Sequence, residues 1–127
     1  MSYFDHEKLD VYQAALEFVV ISEAIVKSFP KGQAHLIDQL MRASSSILLN
    51  ISEGAGEFSS NEKIRFYRIA RRSATECAGI LDICFHLNLL NEDIRAQSRS
   101  LLLRIVAMLT KMTRHFPQTQ AQTQRQT

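Results

Sequence analysis

Residues 39–76 read QLMRASSSILLNISEGAGEFSSNEKIRFYRIARRSATE, and the fold turns on how this stretch is divided. Its first half repeats apolar residues at helical spacing (Leu40, Ile47, Ile51), with Leu36 one turn earlier and with Ala43 and Ser44 small enough to admit a close neighbour. The pattern predicts a helix over about Gln33–Ser52, ended by Gly54 in the left-handed conformation that follows a last turn. Ser59 followed by Glu62 is a capping box that opens the next helix. On that helix Phe66, Ile69, Ala70, Cys77, Ile80, Leu81, Cys84 and Leu87 form one broad apolar face.

Working outward, Asp5 is placed to cap a first helix over about His6–Phe29, which Pro30 stops. Val11, Ala14, Phe18, Ile21 and Ile25 form its core face. Leu9, Leu16 and Val20 form a second, outer stripe, which one core does not require; self-association is its simplest explanation, against chance surface leucines. Asn91 caps a fourth helix over about Glu92–His115, whose Ile94, Ser98, Leu101, Ile105, Met108 and Met112 alternate at four and three. Four amphipathic helices with short connections predict an all-α, antiparallel up-down-up-down four-helix bundle over residues 1–116. Residues 117–127, PQTQAQTQRQT, are polar and predict a disordered tail.

Composition narrows the function. A chain of 127 residues with 46% hydrophobic and 22% charged residues fits one globular domain. No run approaches the roughly 18 apolar residues of a membrane span, and the N-terminus carries acids where a signal peptide has its apolar core, so a cytoplasmic location is expected. Cys77 and Cys84, seven apart on one helix, lie too far apart for a disulfide and read as reduced core thiols. The net charge of +2 permits a nucleic-acid partner without demanding one.

Two constellations are candidates for function. Gln39, Ser46, Asn50 and Glu53 recur on one stripe of the second helix, and Ser73 and Glu76 lie on the third. A carboxylate beside Asn and Ser is compatible with proton transfer, but a hydrogen-bond network that fixes helix register is the preferred reading. No phosphate loop, nucleophile elbow, paired Glu-x-x-His or metal-ligand spacing is present, so neither an enzyme nor a cofactor or metal is expected. The second constellation is Lys63, Arg65, Arg68, Arg71 and Arg72, five cations within ten residues. Arg65, Arg68 and Arg72 share one narrow outer arc able to follow phosphates. The plainer alternative is an ordinary charged helix face, with Glu62 paired to Arg65 and Glu76 to Arg72.

The residues Gln39, Leu40, Arg42, Ala43, Ser46, Ile47, Asn50, Ile51, Glu53 and Gly54, then Phe66, Ile69, Ala70, Ser73 and Glu76, carry a resemblance. From about Leu9 to Leu90 the chain resembles the small four-helix-bundle proteins encoded in intervening sequences of bacterial large-subunit ribosomal RNA genes. The resemblance implies a ring-shaped homopentamer. It also brings a distant similarity to the accessory subunit of diversity-generating retroelements, a basic pentamer that binds a reverse transcriptase and nucleic acid. Glu57 departs from the pattern, where a basic residue often follows the Gly-x-Gly. The expected function is therefore a non-enzymatic, oligomeric protein that binds structured RNA through its arginines. The alternative is a scaffold for another protein, with the outer leucine stripe as adhesive.

Overall fold

The computed structural model describes residues 2–115. It is all-α: a short 3₁₀ turn at Asp5–Lys8 precedes α1 (Asp10–Lys27), α2 (Ala34–Ala55), α3 (Ser60–His86) and α4 (Glu92–His115), with no strand among the described residues. Each helix packs on two others, α1 on α2 and α4, and α3 on α2 and α4, so the four enclose one core. Phe18, Leu40, Ile47, Ile51, Tyr67, Ile105 and Leu109 are its largest fully buried apolar side chains. The expected tail, residues 117–127, lies outside the described residues.

The helix ends are chemically explicit. The Ser59 hydroxyl accepts from the Glu62 amide at 3.4 Å, and Asn91 Oδ1 accepts from the Ile94 amide at 2.8 Å, so both expected caps form. Past the end of α3, Asn88 adopts φ +62°. Its amide donates to Phe85 O and that of Leu89 to Cys84 O, the paired bonds that close a helix through a left-handed residue.

Two boundaries differ from the sequence reading. Leu9 is extended at φ −88° and ψ 129°, so the first helix begins at Asp10 instead of His6, and Asp5 caps nothing in it. That break also removes Leu9 from the outer stripe: it turns inward and packs, half-buried, against the core. Gly54 is not a left-handed terminator. It lies within α2, buried, where an added Cβ would stand 2.7 Å from Tyr67 Cε1 and 3.1 Å from Phe66 Cβ. Glycine is needed there because α3 comes too close for any side chain.

The same approach shifts the buried face of α3. Ile64, Tyr67, Ala70, Ala74, Cys77, Ile80, Leu81 and Cys84 are buried, whereas Phe66 and Ile69 sit half-buried at the rim and Leu87 is exposed. The space left open by Gly54 admits the Tyr67 ring, which is not among the apolar residues read from the sequence as the buried face. Cys77 and Cys84 are both buried and free. Burial, with the Glu76 charge adding to it, pushes the Cys77 thiol up to about 12.

Candidate nucleic-acid interface

The two constellations of polar residues come apart in three dimensions. Along the α2–α3 seam the Ser46 and Ser73 hydroxyls lie 2.8 Å apart, and Asn50 Nδ2 donates to Ser46 O at 2.8 Å and to Ser46 Oγ at 3.1 Å. This small, half-buried network joins three of the six expected members. Gln39 and Glu53 are exposed and stand outside it. Glu76 is exposed too, and its Oε2 receives Arg42 Nη2 from α2 at 3.2 Å. The partners fall in reverse order along the two helices (42 with 76, 46 with 73), as between neighbours running in opposite directions.

The cations divide three ways. Lys63 leaves the field altogether: its ammonium donates to Gly54 O at 3.2 Å and Ala55 O at 2.9 Å, closing the C-terminal carbonyls of α2. Arg65 is committed locally, bonded to Glu62 at 2.7 Å with its guanidinium 4.4 Å from the Phe66 ring centre. Arg68, Arg71 and Arg72 instead line an open cleft of about 760 Å³ between α3 and α4, together with Thr75, Glu76, Val106 and Thr110. Of the expected outer arc, Arg68 and Arg72 line this cleft beside Arg71, which reaches to α4, whereas Arg65, exposed as they are, is paired with Glu62.

Within that cluster Arg71 is half-buried and pre-positioned, its Nη1 donating to Thr110 Oγ1 at 3.3 Å across the helix pair. Arg68 and Arg72 are exposed and form no ion pair among the described residues. The expected Arg72–Glu76 pair does not form, since Arg42 reaches over from α2 to take the carboxylate. Two guanidiniums that form no ion pair among the described residues therefore face solvent beside a third held in place. Such an arrangement suits an anion with several acceptor oxygens.

Thr110 and Val106 were absent from the sequence reading, and nothing local marks them: they belong to α4, and only the packing of α4 on α3 brings them to the arginines. Thr75 was legible in principle, one turn beyond Arg71 and Arg72 on the same helix. Leu16 and Val20 do lie on the outside of α1, at 39% and 63% exposure. Among the described residues no group of three His, Cys, Asp or Glu is placed to hold a metal ion. No described helix is long and apolar enough to cross a membrane.

Fold and cleft together define a small all-α protein carrying an arginine-lined groove between two of its helices. Residues 7–111 match the model of the 23S rRNA-intervening sequence protein family, and the chain belongs to that family. Comparison with curated proteins finds no match.

Proposed function

We propose that this chain is a non-enzymatic, cytoplasmic RNA-binding protein, an antiparallel up-down-up-down bundle that grips structured RNA through the α3–α4 cleft. The observation that carries the reading is the two guanidiniums of Arg68 and Arg72, exposed and without an ion pair among the described residues, beside the anchored Arg71. Contacts of this kind bind phosphate and position a backbone without reading bases. The family name supplies the RNA context. Self-association, a ring-shaped homopentamer in the family resemblance, would repeat the cleft and multiply the phosphates neutralised. Leu16 and Val20 on α1 and Leu103 on α4, the last at 57% exposure, are among the exposed apolar side chains available for it. Those same residues support the second reading, a scaffold for another protein.

The test is a fluorescence-anisotropy titration of a labelled structured RNA at several salt concentrations, on wild type and on a variant with Arg68, Arg71 and Arg72 all changed to Glu. Wild type is expected to bind with a steep salt dependence. The variant is expected to bind far more weakly and to lose about two to three units of the log–log salt slope, at about 0.7–0.9 per phosphate contact. Absence of binding by the folded wild-type protein at low salt would overturn the reading. Leu16→Glu, followed by light scattering, is expected to lower the oligomeric mass.

A further inference from the structure

The cleft is not uniformly basic. Arg68, Arg71 and Arg72 occupy one end and Glu76 the other, with Thr75 between and Val106 on the α4 wall. Arg68 and Glu76 are eight residues apart on one helix, about 12 Å along its axis at 1.5 Å per residue. A site for bare phosphate alone would gain nothing from a carboxylate, which repels the ligand. Here the carboxylate is retained and held from behind: Arg42, on the far helix, binds Oε2 and offsets the charge. Oε1 accepts no hydrogen bond among the described residues. A carboxylate oxygen so placed is an acceptor for hydroxyl or amino hydrogens.

We propose that the α3–α4 cleft seats one phosphorylated ribonucleotide unit, its phosphate among Arg68, Arg71 and Arg72 and its ribose hydroxyls donating to the Glu76 carboxylate. The proposal rests on the RNA-binding reading for its biological context and adds what that reading lacks, a basis for choosing RNA over DNA. The 2′-hydroxyl is the group by which a protein tells the two apart, and an ionised acceptor makes the stronger kind of hydrogen bond to it. The cleft's 760 Å³ lies within the size of small-ligand sites, roughly 300–1,000 Å³. Arg42 touches Glu76 and not the ligand, and offsets the carboxylate's charge without supplying the acceptor.

The experiment measures binding of a ribonucleoside 5′-monophosphate, its 2′-deoxy counterpart, the unphosphorylated ribonucleoside and inorganic phosphate by calorimetry, beside the RNA titration. Wild type is expected to hold the ribonucleotide about tenfold more tightly than the deoxynucleotide, the worth of one hydrogen bond to a charged group. Ribonucleoside and inorganic phosphate, each carrying half of the recognised groups, are expected to bind more weakly still. Glu76→Ala is expected to erase the ribo/deoxy ratio while retaining phosphate binding. Arg42→Ala, which breaks the same ion pair but leaves the acceptor, is expected to keep the ratio; loss of the ratio in both would make Glu76 structural and overturn the proposal. RNA bound tightly with no ribo/deoxy discrimination among mononucleotides would overturn the proposal and leave the RNA reading standing. Mononucleotides bound with discrimination by a protein that ignores RNA would uphold the site and remove the RNA reading. Much tighter binding of RNA than of the mononucleotide supports the unit within a chain, and equal binding supports the free nucleotide, both through the same cleft.

Discussion

The two flanks of α3 are built on opposite principles. Toward α2 it is closed: Gly54 lies against Tyr67 with no room for a methyl, Ser46 meets Ser73, and Lys63 ties off the end of the neighbouring helix. Toward α4 it opens into a cleft whose polar groups face solvent, with one cross-helix bond, Arg71 to Thr110, at its edge. Small residues bring the first pair of helices together, while long charged ones line the opening between the second. One helix thus carries stability on one side and exposed chemistry on the other.

Substitution at Gly54 should strain this contrast most. Gly54→Ala would drive a methyl group into the buried Tyr67 ring and is expected to cost about 1–3 kcal/mol, readable in the urea midpoint. A change within about 0.5 kcal/mol would show that the flank is not tightly closed. Next is Lys63→Ala, which leaves two C-terminal carbonyls of α2 without their cation; about 1 kcal/mol is expected by the same measurement, with no change in the salt slope of RNA binding. Arg72→Glu is the mirror image, within about 0.5 kcal/mol of wild type in stability but weaker in RNA binding, because an exposed, unpaired arginine supports no packing.

A smaller effect appears at alkaline pH. The Cys77 thiol is held protonated up to about 12 against an ordinary 9.0. Below 9.0 both folded and unfolded states keep the proton, and the contribution is fully present. As pH rises from 9.0 toward about 12 only the unfolded chain ionises, so stability falls. Tyr67, raised chiefly by burial and then by the charge of Asp5, acts in the same direction. Cys77→Ala is expected to flatten the first part of that decline in denaturation midpoints measured across pH. Thiol reagents at pH 8 are expected to leave native Cys77 unmodified.

Much of this was legible in the chain. Apolar spacing of three and four gave the helices; Ser59 and Asn91 gave two of their starts, because caps act within one turn. The Ser46, Asn50 and Ser73 cluster was legible for a related reason, since small polar residues at the margin of a buried face need partners nearby. The arginines were legible as a group, and Arg65, Arg68 and Arg72 are exposed as expected; which of them are paired was not legible. Their final positions depend on Glu62, Glu76 and Arg42, and on how far each can reach.

What the sequence by itself determined is the local part: four helices, their main breaks, and an outer face of α3 rich in cations. Tertiary structure alone decided the rest. It turned Leu9 inward, made Gly54 a contact point, recruited Lys63 as a cap, and gathered Arg68, Arg71 and Arg72 with Thr110 from a helix nearly forty residues away. The physical reason is range. Helix propensity, capping and periodicity act within a few residues, whereas a cleft is a distance between two helices, set by the side chains that pack on their other sides.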